Sequence, residues 1–142
     1  MTLIESKVEE QIRNYLIKKG WKIEKELKKR SEHGVDIYAS HSTWRKTYRI
    51  EVKGESTSHP VPASHNAFWT ILGQIVTRMD IEGNQPNKAR FYGIGIPKVW
   101  EKVFKNKIKD MKFGWKLLKL KVFLVDSNGK VEEKPYTYFL KK

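Results

Sequence analysis

Apolar residues at helical spacing mark the beginning of the chain. The positions that share this face are Ile4, Val8, Ile12, Tyr15 and Leu16. Their spacing of three and four residues predicts an amphipathic helix over residues 4–19, and Gly20 is a natural stop just past its end. A second helical pattern begins at Asn66, with Ser64 as its predicted N-cap and a loop over residues 55–65 before it. A third helix is predicted over residues 97–111.

Strand patterns fill most of the remaining sequence. They are WKIEKEL at 21–27, VDIYA at 35–39, TYRIEVKG at 47–54, ARFYGIGIP at 89–97 and LKLKVFLV at 118–125. The second and third are joined by a short polar link, which predicts an antiparallel pair. The fourth is mostly apolar and shows no polar alternation, as expected of a central strand covered on both faces. The order α-β-β-β-α-β-α-β predicts an α/β domain with a mixed central sheet flanked by helices.

Length and composition fit a single domain over residues 1–142 with a basic surface. Lys and Arg total 29 against 16 acidic residues, a formal net charge of +13, which favours a polyanionic partner such as nucleic acid. A solvated charged surface without such a partner is the alternative. The chain has no cysteine, which suits the cytoplasm, and no apolar run approaches the ~20 residues that span a bilayer, so no membrane association is expected.

Two carboxylates and a lysine occupy regular positions in the predicted hairpin. Side chains alternate between the faces of a strand, so Glu51 and Lys53 share one face, about 6 to 7 Å apart. Pairing with the preceding strand can bring Asp36 beside Glu51. Two carboxylates this close repel each other unless a cation lies between them, and oxygen ligands suit Mg²⁺ or Mn²⁺. An adjacent lysine can orient or help deprotonate an attacking water, or offset charge on a phosphate.

These residues also have plainer explanations. Asp36, Glu51 and Lys53 could form an exposed cross-strand salt bridge, which contributes only ~0 to 1 kcal/mol. Trp44, Arg45 and Lys46, at the predicted hairpin tip, could contact nucleic acid, although a tip aromatic often packs on its own hairpin instead. The amphipathic spacings of Trp21, Trp69, Trp100 and Trp115 predict that these four are core residues.

The motif resembles that of the PD-(D/E)XK nuclease superfamily. Gly34-Val35-Asp36 is followed, after fourteen residues, by Glu51-Val52-Lys53, with valine in place of the proline of the family name. In the Holliday-junction-resolvase-like and Mrr-like branches, a glutamate of the first helix precedes a glycine-aromatic stop. Glu9 matches that position ahead of Gly20-Trp21, with Glu10 as the alternative, and Gln74 matches a glutamine of the following helix. A polar helix face would explain Glu9 and Gln74 equally simply.

This resemblance implies a restriction-endonuclease-like core, αβββαβ, and a Mg²⁺-dependent DNA endonuclease. The implied metal ligands are Asp36, Glu51, Glu9 and the carbonyl of Val52. Lys53 would activate the water, Gln74 would help to position it, and the protein would act as a homodimer. A nuclease-fold protein that binds nucleic acid without cutting it is the first alternative. A basic protein of the translation or membrane-surface machinery is the second, and it predicts that Asp36, Glu51 and Lys53 lie apart or face bulk water.

Overall fold

Six strands form one mixed sheet in a computed structural model, which describes residues 3–24, 36–55, 60–82 and 90–141. The helices are α1 (Glu5–Lys18), α2 (Pro60–Glu82), α3 (Glu101–Lys109) and α4 (Lys112–Leu118). The strands are β1 (Lys22–Glu24), β2 (Ile37–His41), β3 (Lys46–Val52), β4 (Arg90–Pro97), β5 (Lys121–Val125) and β6 (Val131–Lys134). Within these ranges no helix combines the length and apolar character needed to cross a bilayer.

The strands lie side by side in chain order, and their directions explain the layering. The pairs β1–β2, β2–β3 and β5–β6 are antiparallel, whereas β3–β4 and β4–β5 are parallel. A parallel pair needs a crossover connection, and such crossovers are almost always right-handed. The β3–β4 and β4–β5 crossovers run in the same direction along the sheet, so their helices α2, α3 and α4 lie on the same face. Helix α1 covers the other face. The predicted α/β class with a mixed, helix-flanked sheet is confirmed.

Each face of the sheet has its own hydrophobic core. On the α1 face, Val8, Ile12 and Leu16 pack against strand residues that include Tyr48, Ile50 and Val52. On the opposite face, buried residues of α2, α3 and α4 pack against alternate side chains of β4 and β5. Strand β4 is central, as predicted, and is buried from Tyr92 to Pro97.

Three of the sequence-based expectations were wrong. The predicted loop over 55–65 is too long, because α2 begins at Pro60 and Ser64 lies inside it rather than at its N-cap. Proline is tolerated in the first helical turn, where its missing N–H would have no helical partner. Trp69 is 58% exposed, since it lies one position round the helix from buried Phe68, whereas the other three predicted core tryptophans are buried.

The third helical stretch is also broken up. A short 3-10 turn, Lys98–Trp100, precedes α3, and α4 follows as a separate helix that the sequence patterns did not predict. The last apolar segment forms another 3-10 turn, Tyr136–Leu140. The Gly34-Val35 part of the motif and residues 25–27 of the first predicted strand lie outside the described residues.

Candidate functional site

Asp36 lies at the end of the β2–β3 pair, directly before the first residue of β2. The antiparallel register pairs Ile37 with Ile50, and its continuation by one residue would place Asp36 opposite Glu51, on the same face of the pair. One carboxylate oxygen of Asp36, Oδ2, accepts a hydrogen bond of 2.7 Å from the backbone N–H of Val52. The register and this hydrogen bond together bring Asp36 to the end of β3 that carries Glu51.

Glu51 is buried on the face of β3 that α2 covers. Its side chain is only 7% exposed, and Arg49, two residues earlier on the same face, is 8% exposed. The Arg49 guanidinium lies over the ring of Tyr38, 4.8 Å from its centroid. A cation on the same face lowers the cost of burying the Glu51 carboxylate, because an unpaired charge in the interior is strongly disfavoured. This burial is difficult to reconcile with a solvated salt bridge at the surface.

Lys53 continues β3 by one residue toward the first turn of α1. Its backbone N–H donates to the carbonyl of Gly95 at 3.0 Å, which extends the β3–β4 pairing past Val52. Its ammonium lies 3.8 Å from Oε1 of Glu5, with the two side chains 25% and 50% exposed. Lys53 is therefore held at the end of the sheet by an acidic residue of α1 that the sequence reasoning did not select.

Close backbone packing places Glu5 beside Lys53. A Cβ on Gly54 would lie 2.1 Å from the backbone nitrogen of Glu5, so only glycine fits between the end of β3 and the start of α1. The backbone N–H of Glu55 donates to the carbonyl of Leu3 at 2.7 Å, and Leu3 donates back to the Glu55 carboxylate at 3.0 Å. Glu5 precedes Glu9 by one helical turn, and that spacing is the only sequence signal that could have identified it.

Glu9 is connected to the same region through an arginine. Nε of Arg13 donates to the Glu9 carboxylate at 3.2 Å, and its NH2 group donates to the backbone carbonyl of Asp36 at 2.7 Å. Glu10, the alternative assignment, instead forms an exposed ion pair with Lys7 at 3.5 Å. The structure thus brings Glu9 toward Asp36 and leaves Glu10 on the outer surface of the helix. Arg13 is a second residue that the sequence reasoning missed.

The acidic residues of this region affect one another. Burial raises the pKa of the Glu5 carboxyl, Lys53 lowers it, and the carboxylates of Asp36 and Glu9 raise it further, with a net increase. We refer to Glu5, Glu9, Asp36, Glu51 and Lys53 as the acid–lysine cluster. A cation bound within this cluster would relieve the repulsion among its carboxylates.

The donor chemistry of the cluster fits a hard divalent cation. In an extended strand the N–H and C=O of one residue point to the same side, so the Val52 carbonyl faces the Asp36 side of β3. Two carboxylates and a carbonyl, completed by waters, form an ordinary Mg²⁺ ligand set. Within the part of the chain that the structure describes, no three acidic or histidine side chains are grouped closely enough to form a metal site by themselves.

The predicted hairpin-tip residues Trp44, Arg45 and Lys46 lie away from the cluster, at the other end of β3. Gln74 is exposed on α2, and its suggested role stays a prediction. Trp44 stacks on His41 of its own hairpin, with ring centroids 3.8 Å apart, and is still 54% exposed. Arg45 is in the left-handed region, with φ of 52°. Lys46 begins β3, six residues before Val52, and is therefore about 20 Å from the cluster.

Comparison with protein-family models, with curated proteins and with solved structures gives no match.

Proposed function

We propose that this protein is a metal-dependent endonuclease that hydrolyses phosphodiester bonds of DNA, with Mg²⁺ as its cofactor and Mn²⁺ as a substitute. One observation carries the proposal. The carboxylate of Asp36 is fixed by the Val52 amide, at the end of β3 where buried Glu51 and Lys53 also lie. A merely structural salt bridge does not require a buried carboxylate, Glu51, and a second carboxylate hydrogen-bonded to the backbone, Asp36, next to a lysine.

The fold of the first half of the chain supports this proposal. The elements α1, β1, β2, β3, α2 and β4 follow one another in the order αβββαβ, which the resemblance to the PD-(D/E)XK superfamily implies for a restriction-endonuclease-like core. The motif residues lie on β2 and β3 and at their ends. This agreement covers the described elements from α1 to β4, which include or adjoin every residue proposed to act in catalysis.

The roles of the residues follow from their chemistry. Asp36, Glu51 and the Val52 carbonyl would hold the metal, and Glu9, steered by Arg13, would contribute from α1. When bound, the ion polarises the scissile phosphate and lowers the pKa of a water. The Lys53 ammonium would orient the attacking water and offset negative charge that develops on the phosphate. Gln74 would help to position Lys53, the water or the phosphate. The basic surface would hold the DNA backbone.

A cleavage assay tests the proposal directly. Supercoiled, linear, single-stranded and branched DNA are incubated with the protein and either Mg²⁺ or Mn²⁺. Asp36→Asn, Glu51→Gln and Lys53→Ala should each reduce the rate at least about 100-fold while DNA binding is retained. Glu10→Gln is the matched control, since Glu10 forms an exposed ion pair with Lys7 on the outer surface of α1. Salt-sensitive binding by the wild type without cutting of any substrate would instead favour a binding protein that has kept the fold.

Metal binding can be measured separately from cleavage. Calorimetric titration with Mn²⁺ should show a site in the wild type, and Asp36→Asn should weaken it at least tenfold because the variant loses a charged oxygen ligand. Glu10→Gln should bind as the wild type does. Equal Mn²⁺ affinity in Asp36→Asn and the wild type would remove Asp36 from the ligand set.

The resemblance also implies a homodimer, in which two sites would act on the two strands of a duplex. Sedimentation of the free protein and of its DNA complex tests this expectation. A monomer in both states would restrict the activity to one strand at a time.

A further inference from the structure

A second site lies at the opposite end of β3 from the acid–lysine cluster. A cavity of about 310 Å³ opens there between the end of α1, the start of β1, the β2–β3 hairpin and β4. Five aromatic side chains form much of its wall: Tyr15, Trp21, Trp44, Tyr48 and Phe91. The volume is at the lower end of the roughly 300–1,000 Å³ of small-molecule pockets, which suits one planar group with a substituent. Aromatic walls suit a ligand with a π-face.

A carboxylate is fixed among these rings. The hydroxyl of Tyr15 donates to Oε1 of Glu133 at 3.1 Å, and the hydroxyl of Tyr48 donates to Oε2 at 2.6 Å. A carboxylate has about four lone-pair positions, so each oxygen can accept one further hydrogen bond. Burial raises the pKa of Tyr15 to about 12, with Glu133 as the second cause, so this tyrosine keeps its proton at neutral pH. Glu133 therefore presents two adjacent, oriented acceptors to the cavity.

Three lysines surround the opening. The Lys46 and Lys121 ammonium groups lie 5.1 and 5.9 Å from the centroid of Phe91, and that of Lys19 lies 5.6 Å from the centroid of Tyr15. All three residues line the cavity, so among the residues that the structure describes its charged groups are three cations and the Glu133 carboxylate. This excess of cations distinguishes between two classes of ligand that bind among aromatic side chains. A cage that binds a quaternary ammonium needs aromatic faces without competing cations, whereas a nucleotide combines an aromatic base with an anionic phosphate.

We propose that this cavity binds one unpaired guanine nucleotide. The base would stack against the aromatic wall, and the lysines would contact its phosphate. Guanine carries two neighbouring N–H donors on its Watson–Crick edge, the ring N1–H and the 2-amino group, and they match the two oxygens of Glu133. Adenine and cytosine each place a ring acceptor beside their single amino group, so one Glu133 oxygen would face a lone pair. Thymine and uracil offer only one donor, between two carbonyls.

This inference does not depend on the proposed nuclease activity. The cavity-lining residues of β3, Lys46 and Tyr48, precede Val52 by six and four positions, which puts them about 13 to 20 Å from the end of β3 in the acid–lysine cluster. Nucleotide binding can thus be measured without metal or cleavage. A negative result for nucleotide binding would not contradict the proposed nuclease activity, and a negative cleavage result would not contradict nucleotide binding.

The test is titration of the full chain with the 5′-monophosphates of guanosine, adenosine, cytidine and uridine at low salt without divalent metal. We expect guanosine monophosphate to bind at least tenfold more tightly than the other three. Glu133→Gln should remove this preference, because the amide places an N–H₂ where an acceptor is needed. Glu132→Gln is the matched control: Glu132 precedes Glu133 on β6, pairs with Lys98 at 2.6 Å and should leave binding unchanged.

A second variant addresses the possibility that Glu133→Gln does not fold, since Tyr48 is buried against Glu133. Trp44 is 54% exposed and can be replaced by alanine without opening the core. Trp44→Ala should weaken all four nucleotides by a similar factor of at least fivefold, because stacking tolerates any base. Equal affinity of the wild type for all four nucleotides, or no binding of any, would overturn the proposal. Tighter binding of choline than of guanosine monophosphate would also overturn it and would assign the cavity to cations.

Discussion

The ion pair between Lys53 and Glu5 determines the electrostatics of the acid–lysine cluster. Lys53 is the single cation among its five members, and the 3.8 Å contact places it against Glu5 rather than in bulk solvent. Because Asp36 and Glu9 both raise the pKa of Glu5, the carboxylates of this cluster interact even though they come from separate segments. Glu5 is therefore a sensitive reporter of charge in the cluster.

Substitution of Glu5 should change stability in a pH-dependent way. Its pKa in the folded protein is raised above the ordinary value of 4.5, so the folded state binds this proton more tightly, and stability is lost as the pH rises through the folded pKa. Glu5→Gln should therefore be more stable than the wild type at pH 7. The difference should vanish below about pH 4.5, where Glu5 is protonated in both states. Because Glu5 is half-exposed, solvent screening reduces the effect.

Urea unfolding of Glu5→Gln and wild type between pH 4 and pH 7 measures this difference, with Glu10→Gln as the control on the outer face of α1. Addition of Mg²⁺ should reduce the extra stability of Glu5→Gln relative to the wild type, because a bound cation favours ionised Glu5 in the wild type. A variant less stable than the wild type at pH 7 would show that the attraction to Lys53 outweighs burial and repulsion.

At the scale of elements, the junction of β3 with α1 assembles the cluster. β3 carries Glu51 and is followed directly by Lys53, while the first turn of α1 carries Glu5, and Gly54 is the point where the two backbones touch. The close approach depends on the missing side chain, since a Cβ there would meet backbone atoms that cannot move aside. The position of α1 over the end of the sheet is thus set by one glycine and the Leu3–Glu55 hydrogen bonds.

Alanine at two glycines should have opposite effects. Gly54→Ala should destabilise the protein by about 1–3 kcal/mol, because the new methyl forces α1 away from the sheet. Gly73→Ala should stabilise it by about 0.5–1 kcal/mol, since Gly73 lies within α2 and a Cβ there meets nothing within 4 Å. Chemical denaturation measures both. If Gly54→Ala keeps wild-type stability, the approach of the two backbones is looser than described.

At the scale of the whole molecule, some of the basic side chains lie together along one groove. A cavity of about 570 Å³ lies between α3, α4 and the C-terminal 3-10 turn. Five lysines line it: Lys102, Lys105, Lys109, Lys112 and Lys141. Lys105 pairs with Glu101 at 3.1 Å, whereas Lys102 and Lys109 are exposed. A run of cations along two helices suits a nucleic-acid backbone, which is bound mainly through its phosphates.

Removal of two groove lysines should weaken DNA binding without changing its sequence preference. For Lys102→Ala/Lys109→Ala we expect the slope of log affinity against log salt to become shallower by about 0.9 for each lysine that contacts a phosphate. The control is Lys18→Ala/Lys130→Ala, which removes the same charge outside the groove. Fluorescence anisotropy measures the DNA affinity of both variants from 50 to 200 mM salt. Over this range, a protein with several phosphate contacts changes its affinity by orders of magnitude. Equal losses in the two variants would mean that the attraction comes from the overall charge.

The sequence by itself determined the α/β class, most of the helices and strands, and the pairing of β2 with β3. These features depend on local periodicity. The alternation of Tyr48, Ile50 and Val52 determines which face of β3 is apolar, independently of the rest of the chain. The same alternation predicts Asp36 beside Glu51, since hairpin register follows from the hydrophobic pattern. The start of α2 at Pro60 was missed because proline was interpreted as a loop signal rather than as a first-turn residue.

Only the tertiary structure decided which distant residues join each site. Glu5 reaches Lys53 because α1 packs over the end of β3, and Tyr15 reaches Glu133 across 118 positions of the chain. No local pattern encodes such contacts, because they depend on how helices cross the sheet and on how close two backbones can approach. The aromatic cavity is the clearest case. Its walls come from α1, β1, the β2–β3 hairpin, β3 and β4, and its carboxylate comes from β6.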